Sequence, residues 1–306
     1  MESQPQAPSA LRHLPWRRLL GYTLFLGVTL IVFRQPLEAV TRLALEDQRH
    51  THVLLMPMIA IGLIGLDWRR VFERCRLDPW LGIPLLLLGV FSFALAVAAA
   101  SPRLELGAIA VLWIAGFLTV FGRESSRRAW FPLSMLVLFV PLPSGLLDAA
   151  EAFLQRSSAD VTEVLFRAIG TPVFRDGMLF SIPGVVIEVA KECSGIRSTI
   201  VLAIVALVLG YLVLRSNWSR GVLIAVAVPI SIFKNAIRIV ALSWLGTNVS
   251  MDYLTGDLHH RGGPVFSLLS LALVAIFLLL LQRFERRWIP SGSRKARPNE
   301  SNPRAS

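Results

Sequence analysis

The sequence predicts an all-α polytopic membrane protein of about eight transmembrane helices, with an amphipathic helix and a small extended cap on the outer side. Three observations carry this. The chain is 54% hydrophobic over 306 residues with a mean hydropathy of +0.61. It contains eight stretches apolar enough to cross a bilayer, at about 19–33, 52–66, 80–100, 104–121, 129–146, 195–214, 221–244 and 264–282, against a requirement of roughly 20 apolar residues per spanning helix. Its basic residues alternate between loops, 19 of the 31 Lys and Arg falling on one set.

The first stretch follows Arg17 and Arg18, precedes Arg34-Gln35-Pro36 and has no small-residue cleavage site, so it reads as an anchor. The second is short and contains Pro57. With both termini cytoplasmic, residues 1–18, 67–79, 122–128, 215–220 and 283–306 form the basic inner set, whereas the outer segments 34–51, 101–104, 142–193 and 246–263 hold 9 Lys and Arg. This positive-inside pattern accounts for the net charge of +11 without a nucleic-acid partner.

Three divisions follow: a cytoplasmic segment 1–18, a transmembrane domain 19–282 with an outer cap at 142–193, and a basic tail 283–306 rich in Pro and Ser. Within the cap, residues 147–170 alternate polar and apolar groups at helical spacing, predicting an interfacial helix. Residues 173–190 carry short β-prone runs around Pro183-Gly184, predicting a small extended cap or hairpin.

Cys75 and Cys193 fall on opposite faces in this topology, so no disulfide is expected. Cys75, on an inner loop, reads as an inert thiol. No Cys-x2-Cys or His-Glu-x2-His pattern supports zinc, and no cofactor motif is present.

Three polar clusters interrupt the apolar pattern at one membrane level, and a polar group at such depth is a functional-site hypothesis. The first is Glu192-Cys193-Ser194-Gly195-Ile196-Arg197. Ser194 suits a helix N-cap, which would place Cys193 at the positive end of a helix dipole, where thiolate is favoured over thiol. Backbone N–H groups from Ser194 and Gly195 onward would suit an oxyanion, and Lys191 and Arg197 make the surroundings electropositive. A small buried residue packed at a helix start is the plainer alternative for Cys193.

The second cluster is Lys234-Asn235-Ala236-Ile237-Arg238, whose polar members share one helix face. Snorkelling to the outer interface is one expectation for Lys234; anion binding is the expectation for Arg238. The third is His259-His260 in the loop before the last span; either imidazole suits general acid/base work.

These clusters resemble the exosortase/archaeosortase family of membrane-embedded cysteine transpeptidases. The family's acidic-x-Cys-Ser-Gly stretch is similar to Glu192–Arg197, its Asn-x-x-Arg to Asn235–Arg238, and its His followed four residues on by Gly to His259–Gly263, a spacing that selects His259 over His260. His52-Val-Leu-Leu-Met-Pro57 resembles a further family segment near the second span, and Phe131-Pro132 through Pro143 resembles its helix before the cap. Lys191 and Pro264 depart from the pattern, at positions where a small residue and an aromatic are usual.

The resemblance implies a bacterial inner-membrane enzyme without cofactor. Cys193 would cleave secreted proteins at a C-terminal signal made of a short motif such as Pro-Glu-Pro, a transmembrane helix and a basic tail. His259 would act as acid/base and Arg238 would steady the intermediate, with the acyl group passing to an unidentified acceptor. Ser194, Gly195, Glu192, Arg197, Lys234, Asn235, His260 and His52 would support the site or hold substrate. The expected partners are such secreted proteins, the acceptor and membrane lipids. An anion transporter or an exopolysaccharide export or assembly component, in which Cys193 is incidental, is the competing reading.

Overall fold

A computed structural model describes residues 15–183, 185–189, 195–248 and 263–288. Six helices are long and apolar enough to cross a membrane, or up to eight if each of two bent helix pairs is one span. The eight expected spans all correspond to these segments, but two are built differently from expectation.

The chain divides into two compact units, Met1–Leu147 and Asp148–Ser306. In the first, α1 (Trp16–Val32) is followed at once by α2 (Arg34–Glu46), the two bent by 77°. Residues 34–51, expected to lie between spans on the outer side, are therefore largely helical. Two 3-10 turns, Gln48–His50 and Val53–Leu55, then lead into α3 (Met56–Leu66); Pro57 sits at its start, where a missing N–H costs nothing. A short helix α4 (Trp68–Val71) precedes α5 (Pro79–Ala98) and α6 (Pro102–Arg128). Asp78 caps α5, its carboxylate accepting from Leu81 N at 3.4 Å.

The α5 and α6 backbones pack closely because Gly82 faces α6: a Cβ there would overlap Thr119. Trp113 of α6 binds α1 twice, its Nε1 donating to Thr29 Oγ1 at 2.9 Å and its carbonyl accepting from Tyr22 OH at 3.0 Å. Outward faces of the spans stay apolar, as at Ile31, Val90 and Leu88, which is what a lipid-facing surface requires.

The expected span at 129–146 is broken. A short helix α7 (Trp130–Met135) and a 3-10 turn (Leu136–Phe139) end at Val140, and a new helix α8 (Ser144–Ala168) starts after Pro141 and Pro143. Two prolines two residues apart stop the first helix because each lacks the N–H that the ladder needs. The amphipathic helix anticipated at 147–170 is α8, which buries Leu154, Ser158, Ala159, Thr162 and Phe166 along one stripe.

In the second unit α8 carries a three-stranded antiparallel sheet, β1 (Phe174–Asp176), β2 (Leu179–Ile182) and β3 (Val185–Glu188), in the order β1-β2-β3. The expected extended cap is thus a three-stranded meander; Gly184 lies outside the described residues. Phe180 is fully buried among Ala159, Phe166, Ile182 and Val189, with Ile239 from a later helix. Arg175 ties β1 to α8 through Asp160 at 2.8 Å and Glu163 at 3.0 Å.

Three spans complete the unit: α9 (Ile196–Val213), α10 (Asn217–Asn248) and α11 (Gly263–Trp288). Leu202, Ala206, Leu223, Ala227, Val274 and Leu278 form their shared core. Glu285 of α11 is buried and accepts from the backbone N–H groups of Arg215 and Ser216, each at 2.9 Å, just ahead of α10. Glu285→Ala leaves both donors unmet, at about 1–3 kcal/mol. A lowered thermal midpoint in detergent, with a smaller drop for Glu285→Gln, is the expected result.

Candidate active site

The described residues on either side of Cys193 are hydrogen-bonded to their surroundings. Upstream, Val189 donates to Met178 O at 3.0 Å and accepts from Gln155 Nε2 of α8 at 2.5 Å. Lys191, Glu192, Cys193 and Ser194 lie outside the described residues. Downstream, the chain resumes at Gly195, which adopts the left-handed conformation, φ 72° and ψ 14°. A Cβ there would meet Ser198 Oγ at 3.5 Å and Asn235 Cγ at 3.6 Å. Those are ordinary contacts, so conformation, and not lack of room, is what favours glycine.

Gly195 is also the cap position of α9, one residue later than the Ser194 cap expected from sequence. The left-handed turn explains the shift, because the helical dihedrals begin only at Ile196. Its carbonyl accepts from Thr199 N at 2.9 Å, Ser198 Oγ at 2.8 Å and Thr199 Oγ1 at 2.9 Å. Three donors on one oxygen fix the geometry at Gly195, two residues after Cys193 in the chain.

The facing helix supplies a polar stripe. Ser231, Lys234, Asn235 and Arg238 are spaced three, one and three residues apart on α10, so they share a face. Lys234 is 4% exposed and Asn235 1%. Lys234 Nζ donates to Ser198 Oγ at 2.7 Å, and Ser231 Oγ lies 2.5 Å from Thr199 Oγ1. These two rungs join α9 to α10 just below the Gly195 turn.

Lys234 therefore does not snorkel to the interface, because Ser198 draws its ammonium inward. Arg238 is half-buried one turn farther along, and Arg197 is exposed. The cations Lys234, Arg238 and Arg197 thus divide into one buried, one half-buried and one exposed group.

The Lys234–Ser198 pair gives a stability prediction. Ser198→Ala removes the hydroxyl that Lys234 binds and leaves a buried cation, costing about 1–3 kcal/mol or more. Lys234→Met, which replaces the charge by an apolar chain of similar length, is expected to cost less. Adding Lys234→Met to Ser198→Ala should restore part of the thermal midpoint; a double variant worse than both singles would contradict the pairing.

His52 belongs to the first unit. It is buried, with Nδ1 3.1 Å from Arg49 O. His50 is buried nearby with Nδ1 3.4 Å from Asp47 Oδ2, and Asp47 also holds Arg49 at 2.8 Å. The hydrogen bond from Arg49 lowers the Asp47 carboxyl below its usual range. His259 and His260 lie outside the described residues. Among the described residues no cluster of His, Cys, Asp and Glu is arranged to hold a metal ion.

Ser198, Thr199, Ser231, Gln155 and His50 were not singled out by sequence reasoning. Ser231 had a signal, being three residues before Lys234 on the same face of an otherwise apolar helix. Gln155 had none, since its partner is a backbone carbonyl 34 residues away.

Comparison with known protein families matches residues 44–277 to the transmembrane exosortases. This chain belongs to the transmembrane exosortase family. The match extends into both units and includes all three polar clusters. No curated protein and no solved structure matches the chain. Within this exosortase, Lys234 and Asn235 of the second cluster lie against Ser198 and Gly195 at the start of α9.

Proposed function

We propose that this exosortase is a cysteine transpeptidase that cleaves C-terminal sorting signals of secreted proteins at the outer face of the inner membrane. The observation that carries the reading is the hydrogen-bonded chain from buried Lys234 through Ser198 to Gly195, beside buried Asn235, a polar structure inside a helical pair that has no need of one for packing. Gly195 and Ser198 follow Cys193 by two and five residues in sequence, and the family membership gives that thiol a reason to be there.

In this reaction the Cys193 thiolate attacks the backbone carbonyl carbon near the motif, and the carbonyl electrons move onto oxygen. Arg238 and backbone N–H groups from Ser194 and Gly195 onward hold that oxyanion. As it collapses, the C–N bond breaks, and His259 as imidazolium gives its proton to the leaving amine. A thioester on Cys193 remains. An acceptor amine then attacks, passing a proton to neutral His259 and expelling the thiolate; water in its place gives hydrolysis.

The positive-inside distribution supports an outer location for the site with both termini cytoplasmic. A glutamate in the motif suits Arg238 and the exposed Arg197. His52 and His260 are assigned supporting roles on the resemblance alone, as are Glu192 and Ser194.

The experiment is co-expression with a tagged secreted host ending in a Pro-Glu-Pro-type motif, an apolar helix and a basic tail. The host should shorten at its C-terminus only when the exosortase is present and the motif is intact. A host of unchanged size under all conditions, with both proteins in the membrane, would sink the reading in favour of a transporter or assembly component.

A further inference from the structure

The first unit contains a cleft of about 930 Å³ that the reaction above does not use. It forms where α6 breaks. Gly122 has φ 83° and ψ 172° inside that helix, and a Cβ on it would overlap the carbonyl oxygen of Arg76. The connection before α5 crosses the break there, with Arg76 N donating to Phe121 O and Asp78 N to Thr119 O, each at 3.3 Å. Only glycine satisfies both the dihedrals and the close backbone approach.

That crossing brings four arginines to one cleft, Arg74 and Arg76 from the connection and Arg123 and Arg127 from the last turns of α6. The cleft also has three carboxylates, and their partners decide its charge. Glu73 and Glu124 both bind Arg128, which is outside the lining, at 2.5 Å and 3.1 Å; Arg127 lies 3.4 Å from Glu124. The hydrogen bond from Arg128 holds the Glu73 carboxyl below its usual range. Asp78 is the α5 cap. Among the described residues, Arg74, Arg76 and Arg123 have no carboxylate within ion-pair distance.

The cleft is a cationic site at a membrane surface. It adjoins Pro79, the first residue of a span, and the end of α6, the last turn of another. Leu77 in its wall and Trp80 beside it are 64% and 89% exposed, apolar groups suited to the headgroup boundary.

We propose that this cleft binds a phosphate-bearing anion, supplied by the headgroup of an anionic phospholipid. Arg76 and Arg123 flank the Gly122 crossing and hold the phosphate, and Leu77 and Trp80 lie along the glycerol and upper acyl chain. The proposal is independent of the chemistry assigned to Cys193.

Native mass spectrometry of the full chain in detergent, titrated with phosphatidylglycerol or phosphatidylcholine, tests it. The wild type should retain phosphatidylglycerol preferentially. The Arg76→Gln/Arg123→Gln variant should lose about tenfold or more in affinity, as removal of two charges from an anion site implies. Arg69→Gln/Arg70→Gln, which removes two charges from neighbouring α4 outside the cleft, should change little. Equal losses in the two double variants would overturn the proposal, as would no preference for phosphatidylglycerol.

Competition by pyrophosphate, with pyrophosphate itself retained, would support the phosphate site and assign it a soluble source. Cys75 lines the same cleft, which keeps the test open should the variant misfold. Phosphatidylglycerol should slow maleimide capture of Cys75 in the wild type several-fold, by peptide mapping, relative to phosphatidylcholine. Identical rates would count against the site.

Discussion

Cells expressing Cys193→Ala are expected to accumulate the uncleaved host protein, with processing reduced on the order of 10⁴-fold or more. A nucleophile has no substitute in a covalent mechanism, and no other cysteine shares its cluster. Cys193→Ser should fail almost as completely, because a hydroxyl is far harder to ionise than a thiol in the same electropositive setting. A transporter in which Cys193 merely packs would tolerate serine with little change. Host size on a gel, normalised to exosortase abundance, reads the difference. Gly195 and the Ser198 bonds to its carbonyl lie after the substituted residue, so the variant is expected to keep its abundance in the membrane.

Arg238→Lys is expected to slow processing by about 10²- to 10³-fold, the cost of losing one well-aimed oxyanion donor. The substitution keeps the charge and loses the planar fork, whose two parallel N–H groups lysine cannot reproduce. Arg238 is half-buried on the Lys234–Asn235 face, so its reach is set by a rigid helix and not by a loop. The loss should appear in kcat more than in KM, since the oxyanion exists only along the reaction path. Near-normal processing by Arg238→Lys would mean that a positive charge alone suffices there. An effect confined to KM would reassign Arg238 to holding the acidic motif.

Sequence periodicity located the spans well because a bilayer demands long apolar runs. It failed where local chemistry cut such a run, as at Val140-Pro141-Leu142-Pro143, where apolar composition persists while the backbone cannot stay helical. The same limit hid α2 behind its charged residues Arg34, Glu38 and Arg42. The cap at 173–190 was legible from its β-prone runs, but not its third strand, whose pairing depends on contacts across the sheet. At the site, the shared face of Lys234, Asn235 and Arg238 followed from helical spacing alone. That Lys234 turns inward did not, because Ser198 is 36 residues away and an isolated lysine on a span usually reaches outward. The Gly195 cap was off by one residue for a similar reason: Ser194 is a good capping type, yet Gly195 is the left-handed residue whose carbonyl takes the Ser198 and Thr199 bonds.

The most direct measurement is to mix the purified exosortase with a motif-helix-tail substrate without an acceptor amine, quench in acid, and determine the intact and peptide masses. The account predicts a hydroxylamine-sensitive adduct on Cys193, equal in mass to the acyl part of the substrate and absent from Cys193→Ala. Cleavage without such an adduct, at the same rate in both proteins, would contradict it.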